Sequence, residues 1–289
     1  CWGRNQYGQV GNGNTEDQST PVKVLENVES VSLEDDCTAA ITKNGDLYCW
    51  GSNESGKVGN GSTENQSTPV KILENVDSFS GFICNAAITK NGDLYCWGGS
   101  NDYGQVGNGS TEVQRTPLKV LENVADVSIG FTSGAVTKNG DLYCWGDNEQ
   151  GQVGIGSSWG QRIQRIPIKI LENVETFSLS YRYGSAITKN GDLYCWGAND
   201  YGEIGNGMDD EVQYTPVKVL ENVVKVSLDS TSAAITKNGD LYCWGYNRGG
   251  SVGNGTTEHQ SVPVKVLENV ASVSLSSSSA AITRDGFLY

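Results

Sequence analysis

Gly45-Asp46-Leu47-Tyr48-Cys49-Trp50-Gly51 recurs without change at 92–98, 140–146, 191–197 and 239–245. A broken copy supplies the two ends of the chain, Cys1-Trp2-Gly3 at the start and Gly286-Phe287-Leu288-Tyr289 at the finish. The Cys-Trp-Gly triplets begin at Cys1, Cys49, Cys96, Cys144, Cys195 and Cys243, so their spacings are 48, 47, 48, 51 and 48 residues, and the stretch from Cys243 to Tyr289 adds a sixth period of 47. A period of this size belongs to repeat architectures, in which one unit cannot bury its own apolar faces and stacks on its neighbours.

Side chains of Leu47-Tyr48-Cys49-Trp50 alternate between the two faces of a strand, yet both sets are apolar, so both faces must be covered. Around this strand, 30–33, 39–42 and 69–73 are short and β-rich. Lys43-Asn44-Gly45-Asp46 predicts a tight hairpin between Thr42 and Leu47, with Asn-Gly taking the positive φ angles. Four antiparallel strands per period and six periods give an all-β expectation: a β-propeller of six four-stranded blades, which protects its edges by radial repetition. An open solenoid is the competing arrangement. The broken copy predicts closure by pairing of the N- and C-terminal segments. The termini read as trimmed from something longer, and a seven-bladed parent stays open. No Pro-rich, Ser-rich or charged linker interrupts the period, so 1–289 reads as a single domain.

With 34 acidic and 20 basic residues, the formal charge is -14. Much of the acid is periodic: Glu26, Glu74, Glu122, Glu172, Glu221 and Glu268 recur in Leu-Glu-Asn-Val. This balance argues against nucleic acid as partner, because phosphate binding needs a basic patch. No apolar run approaches a membrane span. Six of the eight cysteines occupy one repeat position, where equivalent strands sit too far apart for a disulfide, and read as small buried fillers. Cys37 and Cys84, each twelve residues before a Cys-Trp-Gly, are placed to neighbour each other in adjacent blades and read as free thiols.

The long run Ala-Ile-Thr-Lys-Asn-Gly-Asp-Leu-Tyr-Cys-Trp-Gly-x-Asn-x-x-Gly-x-Val-Gly-Asn-Gly, as at 87–109 with one inserted residue, resembles the regulator of chromosome condensation repeat family over the whole chain. That resemblance implies a bacterial-type β-propeller, similar to the β-lactamase inhibitor class, and a secreted or cell-surface location. The family also includes nucleotide exchange factors and a plant ultraviolet receptor, so it specifies the fold more than the function. Members commonly carry Gly-Gly-x-His before the second strand; here the histidine is replaced throughout, as in Glu34-Asp35-Asp36 and Gly81-Phe82-Ile83. An acidic chain without a basic tail does not suit chromatin attachment. No photoreceptor motif carries over, since six of the seven tryptophans belong to Cys-Trp-Gly.

Catalytic chemistry finds little to work with. The one histidine, His259, stands in a variable turn and reads as surface. Without a second histidine, neither a zinc site nor a Ser-His-Asp arrangement is expected, and no metal or cofactor is called for. The recurring Gly8-x-x-Gly11-x-Gly13 pattern reads as turn geometry, because a phosphate cradle leads into a helix and none follows. The chain reads as a non-enzyme.

Where the frame repeats almost verbatim, the positions that differ are free of the frame's demands. They cluster in the first connection of each unit and in the segment after Cys-Trp-Gly, which in an up-down-up-down sheet emerge at the same end. A variable face on a constant scaffold suits a binding protein. Its candidate partner-binding residues are Tyr7, Asp35, Asp36, Phe82, Ile83, Tyr103, Phe131, Tyr181, Arg182, Tyr183, Tyr201 and Tyr246, with Trp159 in the lengthened connection at 156–167. Aromatics set among carboxylates are anchors for a protein partner with a basic or apolar patch, and enzyme inhibition is one version of that role. A glycan-binding module and a purely architectural repeat are the alternatives.

Overall fold

The computed structural model describes residues 1–289 apart from 35, 82, 157–161, 210, 276 and 277. The described residues form strands and turns with no helix. In the first full repeat, β1 (Val28–Leu33), β2 (Cys37–Thr42), β3 (Leu47–Gly51) and β4 (Gln66–Leu73) make an antiparallel sheet in that order. Four more sheets of four strands repeat it, beginning at Val76–Gly81, Val124–Ser128, Val174–Leu179 and Val223–Ser227, and Val270–Ser274 with Ala280–Thr283 forms a sheet of two.

The chain comprises two compact units, one of residues 1–138, 145–147 and 163–167, the other of 139–144, 148–162 and 168–289. In the first, Ala39, Ile41, Leu47 and Cys49 of one repeat pack with Val76, Ala87 and Trp97 of the next. In the second, Ile187, Leu193 and Cys195 pack with Val223, Ala234 and Trp244 in the same way. The core therefore lies between successive sheets, which explains why β2 is buried along its whole length while β1 and β4 are half exposed. Each indole buries about 200 Å², worth roughly 5 kcal/mol before entropy is charged against it. It is also tied by polarity: Trp50 Nε1 donates to the Gln9 carbonyl of the preceding repeat at 3.0 Å, and Trp97, Trp145, Trp196 and Trp244 do likewise to residues 57, 105, 152 and 203.

The Lys-Asn-Gly-Asp hairpin forms between Thr42 and Leu47 as expected, but with different backbone angles. Gly45 alone takes positive φ, at 87°, while its N–H donates to the Thr42 carbonyl and Thr42 N–H donates to that of Asp46. This is a three-residue connection with a glycine bulge, in which Asn44 needs no special conformation. The left-handed asparagines are those of Leu-Glu-Asn-Val: Asn27, Asn75, Asn123, Asn173, Asn222 and Asn269 have φ of 55–59°. Nearby, Lys71, Lys119, Lys169, Lys218 and Lys265 each bridge two carboxylates, as Lys218 does at 2.8 Å to Glu221 and 3.0 Å to Asp192, which together push its ammonium up to about 12. These pairs are open to water and worth little each.

The expected clasp between the chain ends is not made by hydrogen bonds among the described residues. Each half of the broken copy pairs locally instead: Gly3 exchanges backbone bonds with Gln18, and Tyr289 exchanges them with Ala281. Each half thus makes the bonds that one edge of an intact frame strand makes, as β3 does to β2 through Leu47 and Ile41 and to β4 through Gly51 and Gln66. Trp2 is 67% exposed, against 0–1% for the five frame tryptophans that follow it. All eight cysteines are free thiols. Cys37 lies opposite Gly51 on the strand carrying Cys49, and burial pushes its thiol and that of Cys84 up to about 12.

Candidate binding surface

The segment after each Cys-Trp-Gly is built on one buried asparagine. Asn53 Oδ1 accepts from Val58 N at 2.9 Å, while its Nδ2 donates to the carbonyls of Ser62 and Glu64 at 3.1 and 3.0 Å. Asn5, Asn101 and Asn247 do the same in their own repeats. One amide thus closes a loop that has no regular ladder, and the residues flanking it are left to vary. The two variable segments are also hydrogen-bonded together: Ser52, Asp147, Ala198 and Tyr246 donate their N–H groups to the carbonyls of Asp36, Phe131, Arg182 and Ser230. Within each of these sheets both segments share one end, as an up-down-up-down order requires.

In the first unit, Tyr103 and Phe131 are each 38% exposed and meet edge to face at 5.8 Å. Tyr7 and Ile83 are half-buried, and Asp36 receives Gln9 Nε2 at 3.4 Å. In the second unit, Tyr181 is 59% exposed, Arg182 pairs with Asp200, and Tyr201, Tyr246 and His259 form a ring cluster with centroids 4.9–5.1 Å apart. Tyr183 differs from the rest of its set. It begins the buried strand Tyr183–Thr188, is 3% exposed, and directs its hydroxyl to Glu203 at 3.2 Å, so it supports the surface from beneath. Asp35, Phe82 and Trp159 lie outside the described residues. Arg162, at the edge of the lengthened connection, pairs with Glu149 at 3.4 Å.

The family model of the RCC1-like domain matches residues 1–228, and that of the regulator of chromosome condensation (RCC1) repeat matches 238–282. The chain belongs to the RCC1-like domain family. Solved structures agree at the level of the fold. Human WBSCR16 superposes with a TM-score of 0.62 at 21% identity, over 94% of this chain and 77% of its own. Saccharomyces cerevisiae Prp20 gives 0.62 at 20% identity, over 100% and 79%. Yeast RCC1 (Prp20) in complex with Kap60 gives 0.62 at 23%, over 91% and 69%. The architecture is accordingly that of an RCC1-type β-propeller. None of the curated proteins matches this sequence.

Within this RCC1-like frame, the residue between Gly and Val of Gly-x-Val-Gly decides how the variable loops are held. Gln9, Gln105 and Gln152 curl back so that Oε1 accepts from the backbone N of residues 7, 103 and 150. Glu203 replaces glutamine in the fifth repeat and keeps the bond, from Tyr201 N at 2.8 Å, while adding the Tyr183 hydroxyl. Burial raises its carboxyl above the ordinary range, against the lowering effect of these hydrogen bonds.

His259 carries more structure than a surface reading allows. Its Nδ1 accepts from Asn247 N at 3.0 Å, the task that Asp17 performs for Asn5 and Asn65 for Asn53, each at 2.8 Å. The twelve-residue spacing of these pairs is visible in sequence once the loop is known to close on itself. Without that knowledge, Asp, Asn and His at one repeat position look like drift.

Proposed function

We propose that this RCC1-like chain is a non-catalytic protein-binding propeller whose first and third connections form the contact surface. The observation that carries this reading is the division of labour within the loops: a buried asparagine and, in four repeats, a curled glutamine or glutamate fix the backbone, and the rings and carboxylates of Tyr103, Phe131, Tyr181, Asp200 and Tyr201 stand outside it. Rigid loops presenting aromatics lose little entropy on binding, and such residues dominate interface energetics. Support comes from Prp20, which binds Gsp1 and histones and is bound by Kap60. The acidic excess favours a partner with a basic patch, which speeds encounter more than it tightens the complex. Inhibition of an enzyme is one form such binding takes.

Affinity capture from extracts of the source organism tests the reading, comparing the native chain with a triple Phe131→Ser, Tyr181→Ser, Tyr201→Ser variant. All three side chains are at least 38% exposed, so the variant is expected to fold. A protein retained by the native chain and lost by the variant supports the proposal; equal capture by both removes it.

A further inference from the structure

The sixth repeat departs from the frame at two positions that lie side by side in space. Where other repeats place Tyr7, Tyr103 or Tyr201 it has Gly249, and where they place Gln9, Gln105, Gln152 or Glu203 it has Ser251. A Cβ built on Gly249 would meet nothing within 4 Å. Beside these two positions lies a cleft of about 420 Å³, lined by Asp229, Ser230, Thr231, Tyr246, Gly249, Ser251 and Leu275. It lies wholly within the second unit.

The hydrogen-bonding state of this wall selects its ligand. Thr231 Oγ1 donates to the Tyr246 carbonyl at 2.7 Å, and Ser251 Oγ approaches the same carbonyl at 3.1 Å and Thr231 Oγ1 at 2.8 Å. Their hydroxyl hydrogens are committed inward, so these oxygens offer acceptance to a guest rather than donation. Asp229, exposed at the rim, is acceptor-only; its Oδ1 takes Ser230 N at 2.8 Å, and among the described residues no ion pair neutralises it. The Tyr246 ring is held in place by Tyr201 and His259, with centroids 5.1 and 5.0 Å away. A carboxylate, a fixed aromatic ring and acceptor hydroxyls, with no basic residue in the lining, suit a group that only donates and carries positive charge. A sugar hydroxyl, which must also be given hydrogens, is served less well.

We infer that this cleft receives a lysine or arginine side chain of a protein partner. The inference rests on the protein-binding reading and names the chemistry by which one repeat contributes to it. The test is an NMR titration of the ¹⁵N-labelled whole chain with acetyl-arginine amide and acetyl-lysine amide, with acetyl-norleucine amide and methyl glucoside as comparators. Saturable shifts are expected at amides 229–231 and 246–251 for the two cations, with dissociation constants of the order of 1 mM. Asp229→Asn and Ser251→Gln should each weaken binding about tenfold or more. The second substitution restores the residue found at 9, 105 and 152, so it fills the cleft without disturbing the frame. Equal response to norleucine amide, stronger response to the glucoside, or unchanged cation binding in Ser251→Gln would overturn the assignment. Absence of cation binding alongside selective protein capture would sink the cleft alone, whereas cation binding alongside unselective capture would sink the wider reading alone.

Discussion

At the scale of single residues, the stability of the variable loops depends on groups that a composition-based reading passes over. Asn53→Ala leaves Val58 N and two carbonyls without their partner inside the loop, and an expected loss of about 3 kcal/mol follows from the cost of orphaned buried groups. Denaturation followed by tryptophan fluorescence reads it; a loss below about 1 kcal/mol would mean that water replaces the amide. His259→Asn, which restores the acceptor used at Asn65, should change stability little, whereas His259→Val should cost about 1 kcal/mol. Glu203 has a pH signature. Because its folded carboxyl sits above the ordinary value of about 4.3, the folded chain holds more protons than the unfolded chain over the interval above that value, so this group subtracts stability as pH rises through it. Glu203→Gln is therefore expected to be more stable than the native chain at pH 7 and to lose that advantage at pH 4. A gain of equal size at both values would show that burial does not act through the carboxyl's charge.

At the scale of elements, the strands were legible in sequence because their two-sided apolar pattern and their repetition allow one solution, successive sheets with the core between them. The frame tryptophans show how tightly that solution is held: a Cβ on Gly59, whose φ is 86°, would lie 2.5 Å from Trp97 Nε1. Gly59→Ala should destabilise by roughly 3 kcal/mol through backbone strain and displacement of the indole, with a shifted tryptophan emission. An unshifted spectrum and native stability would contradict the close approach. The turns were legible only by position. Asn-Gly at 44–45 marks a hairpin and predicts positive φ at both residues, but Gly45 alone takes it, and the left-handed asparagines are those of Leu-Glu-Asn-Val, beside the more conspicuous glutamates. Asn75→Gly is accordingly tolerated, and Asn75→Val, forced into φ near 59°, should cost 1–2 kcal/mol. At the chain ends the split copy is legible in the pairs each half makes, Gly3 with Gln18 as Gly51 with Gln66, and Leu288 with Ile282 as Leu47 with Ile41.

For the whole molecule, repetition separates what the frame needs from what it leaves free. The frame was legible because it recurs; the surface was only partly so, because exposure depends on which neighbour each side chain meets. Tyr181 faces solvent while Tyr183, two residues on, is buried against Glu203, and no propensity distinguishes them. Membership of the RCC1-like domain family accounts for the frame. The most direct test of the central claim is amide hydrogen exchange of the native chain with and without its captured partner. Protection is expected only in the first and third connections, including residues 129–132, 180–182 and 199–202, with the Leu-Glu-Asn-Val turns unchanged. Protection centred on those turns, or none in the connections, would contradict it.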